Sequence, residues 1–174
     1  MAPPSMTDPA LSDPLATVSR PPEGAPPFPL PSLALERTKA VHVALWERYK
    51  RLLVARQFEP WATLWCHDAR FEMLHDGAQP TAVAHGRERI LKAFHRASTR
   101  YGRLRIKDVT LHQMQDPAVF IVSYQLETRD TERGRVVGSS VARVRTRDGR
   151  IAEFIESVDA FSHAAFIDAL EEAA

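Results

Sequence analysis

Cysteine is almost missing: Cys66 stands alone, so no internal disulfide can form and no thiol pair can hold a metal. A reducing compartment, the cytoplasm, is the expectation that follows. No apolar run approaches the ~20 residues that a membrane-crossing helix needs. Nor does a basic start followed by an apolar stretch mark a secretory signal. Charge of one sign is also missing, since 23 Lys and Arg stand against 22 Asp and Glu. A net charge of +1 suggests neither nucleic acid nor an anionic membrane as partner. His42, His67, His85, His95, His112 and His163 show no metal-ligand spacing, and no HExxH pattern occurs. Phosphate-cradling glycine motifs and nucleotide fingerprints are absent too. No metal and no cofactor are therefore expected, and no internal repeat is visible.

What is present divides in two. From Pro3 to Pro31 the chain is dense in proline and poor in large apolar groups, so residues 1–32 read as a disordered, polyproline-like arm. Residues 33–174 read as one α+β domain, long enough to bury a sizeable core. From Leu35 to Gln57, Val41, Leu45, Trp46, Tyr49, Leu52 and Leu53 recur at helical spacing. Phe58, Trp61, Leu64 and Trp65 continue that spacing as a short second helix, with Pro60 tolerated in its first turn. Ala69 to His75 alternates as a strand, and Gly86 precedes a third helix with Ile90, Leu91, Phe94 and Ala97 inward. Beyond Gly102 the period is two. Strands are expected around Leu104–Lys107, at Val119–Thr128, at Val136–Thr146 and at Arg150–Ala160, the last two joined at Asp148-Gly149. Ser162 can cap a closing helix that ends near Leu170. A helical layer followed by a curved antiparallel sheet encloses a pocket.

Trp65-Cys66-His67-Asp68-Ala69-Arg70-Phe71-Glu72, His85-Gly86-Arg87-Glu88-Arg89-Ile90, and Asp148-Gly149-Arg150-Ile151 with Glu156 and Asp159 resemble the SnoaL-like proteins. These share a superfamily with nuclear transport factor 2 and ketosteroid isomerase. Gln115-Asp116-Pro117-Ala118-Val119-Phe120 also resembles the phenazine-biosynthesis A/B branch. The resemblance spans about residues 34–170 and implies a cone-shaped α+β fold. It leaves the reaction open, because that fold hosts cyclases, isomerases, dehydratases, epoxide hydrolases and binding modules. It also implies dimerisation through the outer sheet face.

By resemblance, Glu156 falls where the phenazine A/B proteins carry their acid/base glutamate and limonene epoxide hydrolases a catalytic aspartate. Tyr49 falls at the oxyanion tyrosine of ketosteroid isomerase. The base of that isomerase aligns with Met73 and its second oxyanion acid with Val141, so steroid isomerisation is not expected. The phenazine A/B histidine aligns with Ala93, and His95 stands two positions and about 200° away around the helix. The Arg-x-Asp pair of epoxide hydrolases has no counterpart in Ser123-Tyr124-Gln125-Leu126.

The residues themselves carry chemistry. Glu156 amid Ala152, Phe154 and Val158 on one strand face is poorly solvated, a setting in which a carboxylate serves as acid or base near neutrality. If the Asp148-Gly149 turn has two residues, Arg143 shares that face and is a diagonal neighbour of Glu156. A three-residue turn with a glycine bulge shifts the pairing by one and sends it out beside Glu153. Tyr124 either packs in the core or aims its hydroxyl into the pocket. His75 has the parity of Phe71 and Met73 and is a second proton-transfer candidate. Cys66 beside His67 reads as a buried thiol. Trp46, Leu53, Phe71, Met73, Phe94, Phe120, Val122 and Phe154 are expected to shape and desolvate the substrate site. The expected function is a cofactor-independent cyclase or isomerase, acting by proton transfer on a mostly apolar small molecule in specialised, polyketide-like metabolism. A non-catalytic small-molecule or partner-binding module, and an epoxide hydrolase or dehydratase using the same carboxylate, are the alternatives.

Overall fold

The computed structural model describes residues 33–75, 79–130 and 134–158, with backbone alone at 75, 79–82 and 130. The Pro-rich arm, the closing helix expected from Ser162 and the His75 side chain lie outside the described residues. Helix α1 (Leu33–Val54) buries His42, Leu45, Trp46, Tyr49, Leu52 and Leu53, a stripe at three- and four-residue spacing. Val41, expected inside, is 58% exposed. The stripe begins one residue later, at His42, because that ring finds partners on the sheet: Nδ1 lies 2.7 Å from Gln113 Oε1 and Nε2 3.3 Å from Thr146 Oγ1. The helix closes on Arg56 in the left-handed region (φ 55°), with the Gln57 amide bonded to the Leu52 carbonyl and the Arg56 amide to that of Leu53.

Helix α2 (Phe58–Ala62) is shorter than its apolar spacing suggests. Leu64 and Trp65 do not continue it. The Leu64 carbonyl instead accepts the Ile151 amide at 2.8 Å, and strand β1 (Trp65–His75) begins four residues earlier than expected. Strand β2 (Gln79–His85) was not legible in the sequence, since its short Pro-containing run lacks a strong alternation; it pairs with β1 alone, at the sheet edge. Gly86 (φ 86°) turns the chain into α3 (Arg87–Arg100), whose buried stripe is Ile90, Ala93, Phe94 and Ala97, with Leu91 only half-buried.

Strands β3 (Arg105–Gln113), β4 (Val119–Asp130), β5 (Gly134–Arg147) and β6 (Arg150–Val158) complete a curved six-stranded sheet in the order β2-β1-β6-β5-β4-β3. Every pairing is antiparallel except β1 with β6, which is parallel. The helices pack on one face, α1 against β3 and α3 against β1, giving the expected α+β architecture. Register fixes what faces them. Phe71 pairs with Phe154 and Met73 with Glu156 across β1 and β6, while Ala142 meets Glu156 and Val144 meets Phe154 across β5 and β6. Rings fill the space beneath α1: Tyr49 stacks on Phe154 at 5.6 Å and Phe71 on Phe154 at 5.5 Å.

The β5–β6 turn has two residues, Asp148 (φ 52°) and Gly149 (φ 71°), both left-handed, and Thr146 pairs with Ile151. The next pair is Arg145 with Glu153, so Ala152 is an extra residue in β6. That bulge moves every later pairing by one.

Candidate active site

The inner face of β6 is alternately Phe154, Glu156 and Val158, so the same alternation that buries two apolar side chains buries the carboxylate between them. Glu156 is 5% exposed and lines a cavity of about 80 Å³ between the helices and the sheet. That is room for a few waters or a single ring. Tyr49 and Leu53 of α1 form one wall, Phe94 and Ala97 of α3 another, and Met73, Tyr124 and Leu126 come from the sheet. Glu156 is the one carboxylate among these lining residues.

Tyr124 reaches it directly. Its hydroxyl donates to Glu156 Oε1 in a buried hydrogen bond, and its ring rests 5.2 Å from that of Trp46. Oε2 has no hydrogen-bond partner among the described residues. Burial first, and the neighbouring Glu156 charge second, push both the Tyr49 and Tyr124 hydroxyls well above the usual phenol range. For Tyr124 the presence of Tyr49 adds to the rise and the Ser140 hydroxyl opposes it weakly. Both phenols therefore keep their protons at neutral pH and act as donors.

The structure separates the expected site residues into groups. It brings Glu156, Tyr49, Tyr124, Leu53, Met73 and Phe94 together around the cavity. Trp46, Phe71, Phe120, Val122 and Phe154 are buried core behind that lining, supporting it without forming its surface. Arg143 is a correction: the Ala152 bulge turns it to the opposite sheet face, where its guanidinium pairs with Glu153. Val141 is exposed on that outer face too, and the inward neighbour opposite Glu156 is Ala142. Ala93 is buried in α3, and His95 is exposed with its ring 5.5 Å from Phe58. Cys66 is buried, its thiol facing the Arg147 carbonyl at 3.7 Å.

Sequence reasoning missed the rim. Arg56, Phe58, Tyr101, Leu104 and Ile106 also line the cavity. Arg56 donates to the carbonyls of Tyr101 and Gly102, the latter at 2.7 Å, tying the end of α1 to the chain leaving α3. Leu104 and Ile106 carried a signal in their alternation; Arg56 did not, because nothing local marks an arginine for a left-handed helix terminus. Among the described residues no group of three His, Cys, Asp or Glu side chains converges on a point where a metal could sit. No described helix is long and apolar enough to cross a membrane.

A family model described as a SnoaL-like domain matches residues 46–154, a span that holds α2, α3 and β1–β5 entire, with parts of α1 and β6. No curated protein matches the chain. Among solved structures, a candidate isomerase from Bacillus subtilis superposes with a TM-score of 0.64 at 19% identity, covering 74% of this chain and 94% of its own. A candidate polyketide cyclase from Xanthomonas campestris gives 0.61 at 15% identity, with coverage of 75% and 98%. A phenazine biosynthesis-related protein from Pseudomonas aeruginosa gives 0.61 at 13% identity, with coverage of 79% and 89%. At such identities the likeness is one of fold.

Proposed function

The chain belongs to the SnoaL-like domain family, and from its cavity we propose that it is a cofactor-independent acid/base enzyme, a cyclase or isomerase of a mostly apolar small molecule. The observation that supports this reading is one buried carboxylate at an apolar cavity, held through Oε1 by Tyr124. A carboxylate gripped on one oxygen is aimed, and Oε2 is left to exchange a proton with substrate. In the proposed reaction Glu156 removes a proton from carbon beside a carbonyl. Tyr49, kept protonated by burial, donates to the oxygen on which negative charge develops. Glu156 then returns the proton at another carbon, or the enolate carbon attacks a second carbonyl to close a ring and the alkoxide so formed takes the proton back from Glu156. Tyr124 is a positioning residue, while Leu53, Met73 and Phe94 exclude water and restrict the substrate's shape.

The test compares metabolites of the native host carrying the intact gene, a deletion, or Glu156→Gln. Deletion and Glu156→Gln are expected to accumulate the same uncyclised or unisomerised precursor, with turnover lowered at least about 100-fold in the variant. A Glu156→Gln strain indistinguishable from the intact one would make the protein a binding module or move the chemistry to other residues.

A further inference from the structure

Leu104 and Ile106 line two spaces at once: the apolar cavity, and an open groove between the end of α1 and the start of β3. The groove's other walls include Lys50, Arg51, Arg103, Arg105 and Lys107, and none of the described residues lining it is acidic. These cations are unequally engaged. Lys50 pairs with Glu47 at 2.7 Å, and Glu127 takes Lys107 and, at 3.9 Å, Arg105. Arg51 and Arg103 are exposed and have no acidic partner among the described residues. Arg56, also exposed, stands in the cavity lining itself. Glu156 thus lines the cavity and a cluster of cations lines the groove, and the apolar Leu104 and Ile106 are the walls the two spaces share.

A neutral apolar substrate would draw nothing from that arrangement, and an anion pushed inward would meet the Glu156 carboxylate. We propose that the substrate carries an anionic group, a carboxylate or a phosphate, seated on this groove while its apolar part fills the cavity. The inference rests on the reading of the cavity as the substrate site and adds the class and orientation of the substrate. Arg51 and Arg103 would make the main charge contacts, and the cluster would capture the anion before the apolar part enters. In this proposal the substrate passes from groove to cavity beside Leu104 and Ile106, the walls common to both.

The experiment titrates the full-length protein with phenylacetate, benzyl phosphate and benzyl alcohol by calorimetry at low and high salt. At least one anion is expected to bind tenfold or more tightly than benzyl alcohol, and salt should narrow that gap. The two anions distinguish carboxylate from phosphate. Arg51→Gln with Arg103→Gln should bring the anion close to benzyl alcohol and leave benzyl alcohol itself unchanged. Arg37→Gln, removing an exposed charge from the far end of α1, should alter neither. Equal binding of anions and benzyl alcohol overturns the inference alone, as does an anion preference that survives in the double variant. Failure of all three to bind overturns the inference together with the reading of the cavity beneath it.

Discussion

Glu156→Gln should stabilise the protein while disabling it. The carboxylate is 5% exposed, and its hydrogen bond among the described residues comes from a neutral phenol. Arg143, which a two-residue turn without a bulge would place beside it, is turned away to Glu153 by the Ala152 bulge. Burying an ion without a counter-charge costs several kcal/mol even after relaxation. One hydrogen bond to a charged acceptor returns about 1.5–3 kcal/mol. Glutamine keeps the side-chain shape and still accepts from Tyr124, a neutral bond worth about 1 kcal/mol, and it removes the cost of burying the ion. The difference leaves a gain of about 2 kcal/mol, which at this chain length raises the melting temperature by about 4–8 °C.

The assay is urea and thermal unfolding of both proteins at pH 8, where a carboxylate is ionised in the unfolded chain and phenols are not. Glu156→Ala is the control, because it removes the acceptor and side-chain volume together and should destabilise. A loss of more than about 1 kcal/mol in Glu156→Gln would refute the reasoning, since the carboxylate would then be a net contributor to folding. A buried ion retained at a cost to stability is the pattern expected of a group kept for chemistry.

Two further outcomes follow from the same geometry. The chain has three tyrosines, and two of them, Tyr49 and Tyr124, are held protonated by burial and by Glu156. Their folded pKa lies above the unfolded one, so their contribution to stability is complete below about pH 10 and is lost as pH rises beyond it. Ultraviolet titration of tyrosinate should therefore show two phenols ionising only together with unfolding, and their free titration in the folded protein would contradict the burial. His42→Ala should cost about 2–4 kcal/mol in urea unfolding, because it empties a buried site 4.6 Å from the Phe120 ring and strips partners from Gln113 and Thr146. An effect below about 0.5 kcal/mol would make that network superficial.

What the sequence disclosed, and what it withheld, divides along the range of the forces involved. Periodicity gave the α1 stripe through Leu45, Trp46, Tyr49, Leu52 and Leu53, and parity put Phe71, Met73, Phe154 and Glu156 toward the helices, because both are set by local geometry. Where partners across the fold decide, local signals mislead. Trp65 has helical spacing from Trp61, yet the segment joins β6 through the Leu64 carbonyl, and a backbone bond to a strand 87 residues onward (151 minus 64) leaves no local trace. Arg143 shows the same limit at the site. The Asp148-Gly149 turn has the two residues that would place it beside Glu156, but one unpaired residue, Ala152, reverses its face. The consequence is chemical as well as geometric. Without that bulge a guanidinium would stand beside the carboxylate; with it, Glu156 has Tyr124 alone among the described residues, so the part of the site hardest to read from sequence is the part that turns Arg143 away from its carboxylate.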